Sequence, residues 1–194
     1  FFVQNDTLQT LTFKTSAGTG VSVVSGSSAL LLCDGTSVII VNQKGNVVQV
    51  VSVQDGEYAT GTTTIPTDDT IPQISEGNEF MTLAITPTKS TNTLIIEIDA
   101  VVGHSASTSR IVSALFQDAT TDAIAAVEDY LNTASTMIAT KITHVMTAGT
   151  TSATTFRYRG GSSNAGTMYF NGDSGGRHYA GIMASGIVIK EYEA

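Results

Sequence analysis

Apolar and polar positions alternate with the two-residue period of strands along most of the chain, and the runs are separated by Gly, Asn, Asp and Ser clusters every ~8–12 residues. In LIIEIDAVV, Leu94, Ile96, Ile98, Ala100 and Val102 point one way while Glu97 and Asp99 point the other, which predicts one buried and one wet face. TFRYRGG repeats the pattern with Phe156 and Tyr158 opposed by Arg157 and Arg159. IVSALFQD differs, carrying Ile111 and Leu115 on one face and Val112, Ala114 and Phe116 on the other. A strand apolar on both faces needs cover on both, and a neighbouring subunit is the expected second cover. The fold class is therefore all-β.

Three segments are expected. Residues 1–58 form a small β-module with strands at Val21–Val24, Ala29–Cys33, Val38–Val41 and Val47–Val53 and turns at Asp34-Gly35 and Asn42–Asn46. Residues 59–78 hold two of the three prolines and almost no apolar period, which reads as an extended linker. Residues 79–194 form the larger body, with strands near 80–86, 93–102, 111–117, 136–147, 154–159, 166–170 and 178–193. Asp122–Leu131, DAIAAVEDYL, is open between a short helix and a strand, because its Ala, Glu and Leu favour helix.

Composition sharpens the picture. Of 194 residues only 13% are charged, and Ser, Thr, Gly and Asn fill the polar positions, as in extracellular and virion β-proteins. A net charge of −8 with scattered basic residues argues against nucleic-acid binding. No apolar run approaches the ~20 residues of a membrane span. The opening FFVQNDTLQTLTF already reads as strand-forming, so the chain is expected to be a piece of a larger assembly. Cys33 is the only cysteine and is expected to be a small buried apolar residue.

The stretch Asn171–Gly181, NGDSGGRHYAG, contains the Gly-Asp-Ser-Gly-Gly that surrounds the nucleophile of chymotrypsin-like proteases. A triad built on Ser174 needs a histidine in hydrogen-bond reach and an acid orienting it. His104 with Asp118 or Asp122 has the right chain order but not the Ala-Ala-His-Cys setting, and only 20 residues follow Ser174. The stretch lies between strand-like runs and has the composition of a hairpin loop. A second decoy, GHSAS at 103–107, lacks the closing glycine and the helix of a nucleophile elbow. His104 is expected in a loop, and His144 half-buried and hydrogen-bonded in a strand. No catalytic residue, metal site or cofactor is expected.

Two stretches resemble proteins of tailed bacteriophages. Leu11–Val41, LTFKTSAGTGVSVVSGSSALLLCDGTSVIIV, looks like the small β-module of tail fibres, with its Lys-Thr-Ser-x-Gly-Thr-Gly-Val and Cys-Asp-Gly-Thr signatures. The second runs from TIPQISEGNEFMTLAITPTKSTNTLIIEIDAVV through ALFQDATTDAIAAV and MTAGTTSATTFRYRGGSSNAGTMYFNG to GIMASGIVIKEYEA and is similar to the C-terminal head of tail fibre and receptor-binding proteins. Glu128–Ile142 departs from that pattern.

The resemblance implies a jelly-roll-like head of two antiparallel sheets, a homotrimer, a virion location, other virion tail proteins as partners, and adhesion to a host-surface glycan or other receptor. The competing readings are a non-binding structural or trimerisation cap and, third, a hydrolase. Counting strand reversals from Phe80, with 123–127 as a strand, places 87–92, 120–122, 149–152 and 171–177 at the distal tip and 103–109, 129–135 and 160–165 toward the shaft. The expected receptor-contacting residues are Asn171, Asp173, Arg177, Thr91, Asn92 and Thr150. If 123–127 is helical, the later loops exchange ends.

Overall fold

A computed structural model describes residues 1–18, 20–41 and 46–194. It divides into two compact units, Phe1–Lys44 and Gly45–Ala194. The first is built from short strands: β1 (Phe2–Gln4), β2 (Leu11–Phe13), β3 (Val21–Val23), β4 (Ser28–Cys33) and β5 (Val38–Ile40). β1, β4 and β5 form one antiparallel sheet, and β2 pairs with β3. The core is small, centred on Val23, Leu31 and Val38. A buried Asn5 reinforces it, its amide donating to the carbonyls of Gln9 and Val23. Cys33 is exposed rather than buried: it shares Leu31's side of β4, but it is the strand's last residue and lies beyond the small core. Of the expected Asn42–Asn46 turn, residues 42–45 lie outside the described residues.

The second unit is an antiparallel β-sandwich, as the alternation predicts. Its strands are β6 (Val47–Asp55), β7 (Ala59–Gly61), β8 (Asn78–Ile85), β9 (Thr93–His104), β10 (Ser109–Gln117), β11 (Ala125–Leu131), β12 (Met137–Thr147), β13 (Thr154–Ser162), β14 (Met168–Phe170), β15 (Gly172–Asp173), β16 (Gly176–Arg177) and β17 (Ser185–Tyr192). One sheet has the order β11-β10-β13-β8. In the other, β9 pairs with β12 along one edge, while β17 and β14 lie end to end along its second edge and are flanked in turn by β6 and β7. The core lies between the sheets. Leu94, Ile96 and Ile98 of β9 and Ile187 and Ile189 of β17 meet Ile111, Leu115 and Phe156 of the facing sheet. Burial pushes the Tyr158 phenol up to about 12, against the lowering effect of its hydrogen bonds with Ser113 and Thr140; a neutral hydroxyl is the form a dry core favours.

Four expectations need correction. The domain boundary falls before Val47, not after residue 58, because β6 pairs with β17 from Ser185↔Asp55 to Tyr192↔Val47 and so belongs to the sandwich. Residues 59–78 are not a free linker: β7 joins the second sheet, and the segment that follows straps the outer face of the first. That strap corrects the reading of β10. Ile65, with Ile74 and Ala123, packs on Val112, Ala114 and Phe116, so the chain itself covers the second apolar face. Arg159 pins the end of the strap, donating to the carbonyls of Glu76 and Gly77 at 2.9 Å. Finally, the last strand starts at Ser185 rather than 178.

The open choice at 122–131 resolves as strand. Ala125–Leu131 pairs with β10 from Leu115↔Ala125 to Ser109↔Leu131, and the ladder overrides a weak helix preference.

Candidate functional site

Register fixes which loops share an end of the sandwich. Near the start of β6 lie the turns 86–92, 118–124 and 148–153, since Thr93 pairs with both Thr147 and Tyr192, Tyr192 with Val47, and Ile85 with Thr154. The opposite, far end gathers 56–58, 105–108, 132–136, 163–167 and 171–184. Three of the four loops expected to share a tip do share an end, and 171–177 does not. β14 has only three residues and leaves the sheet at Phe170↔Val102, two residues in from the end of β9; β17 resumes the same edge from Gly186↔Asp99, so 171–184 is an excursion from within that edge rather than a turn at the near end.

The six expected contact residues therefore form no single site. Thr91, Asn92 and Thr150 are at the near end; Asn171, Asp173 and Arg177 are at the far end. Thr91 is exposed, and Thr150 helps line a shallow groove of about 520 Å³ between residues 117–120 and 146–154. Asn92 is buried, and its amide donates to Glu191 Oε1 at 2.7 Å and to Thr88 Oγ1 at 3.0 Å. Asn171 is buried too. Its backbone N–H donates to Val101 O, its amide donates to Asp55 O and Glu57 O, and its Oδ1 accepts from Ser185 Oγ. With φ at 55°, it closes the seam where β14 ends and β17 begins. Both asparagines are internal hydrogen-bonding hubs that no receptor reaches.

The remaining far-end residues converge. β15 and β16 form a hairpin with Ser174-Gly175 at its turn. Asp173 Oδ1 accepts from the Gly175 amide at 2.7 Å, and its Oδ2 lies 3.2 Å from His178 Nε2. These two contacts, the amide first, hold the Asp173 carboxyl below its ordinary value. Arg177 lies 3.4 Å from Glu57. The Tyr58 hydroxyl donates to Asp173 O, and its ring stacks on Tyr169 with centroids 6.5 Å apart. Burial raises the Tyr58 phenol, with Tyr169 and Asp173 adding to the effect.

Beyond the hairpin, Tyr179, Ala180 and Gly181 have φ of 50°, 53° and 87°, and the first two are residues that rarely adopt the left-handed region. The turn is wedged against the break between β6 and β7, where a Cβ on Gly56 would collide with the Gly181 carbonyl. Tyr179 is left 74% exposed and Ile182 87% exposed. Sequence reading placed both inside a long strand. The break in alternation across RHYAGIMASG was the signal that separates them from it.

The residues weighed for a triad are dispersed. His104 is buried at the end of β9, not in a loop, and its Nδ1 accepts from the Ala106 amide at 3.1 Å. Burial lowers its pKa. Asp118 and Asp122 are at the near end, where Asp118 accepts from Thr154 and Thr155 and Asp122 from Gln73. Ser174 is exposed, and no described histidine hydrogen-bonds to it. Burial lowers the pKa of half-buried His144 as well, and the hydrogen bond expected for it is not formed with any described residue.

No family model matches the chain, and no curated protein sequence matches it. Among solved structures it is similar to a chain of infectious bursal disease virus, Gt strain, at 15% identity and a TM-score of 0.42 over 93% of this chain and 46% of that one. It is similar to a chain described under "CBM4 structure and function" at 20% identity and a TM-score of 0.32, over 67% of this chain and 76% of that one. The enzymatically active domain of bacteriophage CBA120 tailspike protein 4 is similar at 15% identity and a TM-score of 0.29, over 64% of this chain and 19% of that one. The chain thus spans less than half of the viral and tailspike chains. At these TM-scores the likenesses carry no conclusion about what it binds.

Proposed function

We propose that the chain is the distal part of a tailed-phage fibre and that the far-end loops of its sandwich adhere to a host-surface glycan. The observation that carries the reading is the outward display of Tyr179 and Ile182 on a left-handed turn beside Asp173, Arg177 and His178. A ring offers a stacking face for a sugar, and the flanking carboxylate, guanidinium and imidazole offer acceptors and donors for its hydroxyls. Left-handed non-glycine residues each cost roughly 1–3 kcal/mol and gather where ligands are held. The resemblance of Leu11–Val41 and of the 70–194 region to fibre modules supports the virion setting and other tail proteins as partners.

A homotrimer remains part of this reading, but β10 no longer supports it. Support comes from Phe2, Leu30 and Leu32, which share an exposed face of the first unit. Exposed apolar residues grouped on one face favour association.

The test is a bacterial glycan array probed with the labelled native oligomer. At least one glycan is expected to be retained, and the double variant Tyr179→Ala with Ile182→Ser to weaken retention by about tenfold or more without shifting thermal unfolding. No retention of the native protein favours the non-binding cap, and equal retention of the double variant moves the glycan site off this turn. The reading includes no catalysis. Ser174→Ala is expected to leave unfolding and assembly unchanged, and a fluorophosphonate probe to leave Ser174 unlabelled. Labelling that disappears when one histidine is replaced would establish a hydrolase instead.

A further inference from the structure

A second feature lies on a different surface, the outer face of the second sheet. Register aligns Gln54 of β6, Gly186 of β17, Asp99 of β9 and Lys141 of β12 in one row across the strands. Glycine contributes no side chain, so the row is interrupted between Gln54 and Asp99. Ser52 and Val188 border the gap in the next row and Ala184 closes its other side, leaving a slot of about 300 Å³. That is the lower end of the range for ligand pockets. Gly186 is not in the left-handed region, so its backbone makes no demand for glycine. What glycine provides is space, because a Cβ there would meet Val53 O at 3.0 Å and project from the sheet between Gln54 and Asp99.

We propose that this slot binds a single neutral sugar residue, with Gln54, Asp99 and Ser52 hydrogen-bonding its hydroxyls and Val188 and Ala184 packing on its C–H face. The chemistry of the lining selects this class. An amide and a hydroxyl are neutral groups that both donate and accept, and a carboxylate accepts two hydroxyls at once. Asp99 disfavours an anion, while Lys141, 3.5 Å from it, offsets the charge that would otherwise attract a free cation. Two small apolar side chains suit the C–H face of one ring and leave no platform for a longer apolar ligand. Of its lining only Ala184 lies in the far-end segment 171–184, and none belongs to the Asp173–Ile182 cluster.

The experiment follows proton–nitrogen correlation spectra of the whole chain during titration with methyl glycosides of glucose, galactose, mannose and N-acetylglucosamine. At least one glycoside is expected to shift the amides of Gln54, Asp99 and Gly186, and Gln54→Ala and Asp99→Ala each to weaken that binding by about tenfold. Gly186→Ala is expected to abolish it, but that change also crowds Val53 O, so the two exposed-residue variants decide. Tyr179→Ala is expected to leave the slot shifts intact, which separates this site from the loop site. No shift at these amides with any of the four glycosides, or shifts that persist in the Gln54→Ala, Asp99→Ala double variant, overturns the proposal. Shifts confined to the Tyr179 region also overturn it while sparing the adhesion reading.

Discussion

Truncating Phe116 to alanine is expected to cost about 3–5 kcal/mol, read as a lower urea midpoint, and the loss is expected to be the same at every protein concentration. Phe116 is fully buried against Ile65 of the strap, with Ile74 and Ala123 alongside, so its cover travels with the chain. Had a neighbouring subunit supplied that cover, the midpoint would fall further on dilution, because dissociation would expose the same ring. Ile65→Ala removes the other half of the contact and is expected to cost about 2–5 kcal/mol. The two losses are expected to be less than additive, since each variant empties the same interface. A loss relative to the parent protein that grows on dilution would return β10 to the subunit interface.

Acidification is expected to loosen the near end of the sandwich first, and Glu191→Ala to reproduce the damage at neutral pH. Glu191 is a buried carboxylate whose Oε1 accepts from Thr88 N, Thr88 Oγ1 and Asn92 Nδ2 at 2.7–2.8 Å, so it ties the turn at 86–92 to the last strand. With the Gln49 amide turned to suit its neighbours, Nε2 donates to the second carboxylate oxygen and to Thr86 O at 3.2 Å each. Burial alone would raise the Glu191 pKa. The hydrogen bonds from Asn92 and Thr88 and from the amides of Thr88 and Lys89 outweigh it and leave the carboxyl below its ordinary 4.5.

A folded-state value below the unfolded one makes the ionised group stabilising. That contribution is fully present above pH 4.5 and is lost as the pH falls through the lower folded value. Removing the carboxylate strands several buried donors, at about 1–3 kcal/mol each. The checks are urea midpoints from neutral to acid pH, in which Glu191→Gln should titrate less steeply than the wild type below pH 4.5, and hydrogen exchange at Thr88 and Asn92. Identical pH profiles would show that Glu191 is not the group responsible.

Strand identity was legible wherever one face is wet. The alternation in LIIEIDAVV and TFRYRGG placed Leu94, Ile96, Ile98, Phe156 and Tyr158 in the core, because a period of two translates directly into sides of a sheet. The double-sided apolar pattern of β10 correctly required two covers. Their source was not legible, since Ile65 and Ile74 stand as single apolar residues among Thr, Pro and Asp, and isolated anchors have no period. β6 was grouped with its sequence neighbours because its true partner, β17, lies far along the chain.

The candidate site was less readable. Counting reversals assumes that each strand crosses the whole sheet, and β14 does not. Amides were read as surface donors, yet Asn92 and Asn171 satisfy buried backbone and side-chain groups. For Asn171, the following glycine marked a left-handed turn but not the carbonyls that its amide would meet.

The excursion that carries Tyr179 begins and ends on one residue. Val101 O accepts from the Asn171 backbone at its start, and Val101 N donates to Ser185 Oγ at its finish, both at 2.9 Å. Closing a loop of a given length costs only ~0.6 kcal/mol more each time that length doubles. Residues 172–184 are thus a cassette whose length and wording can drift, or be exchanged for another, without displacing the register of any sandwich strand. If these loops adhere to a glycan as proposed, recognition can be rewritten there while the register of the framework strands stays as it is.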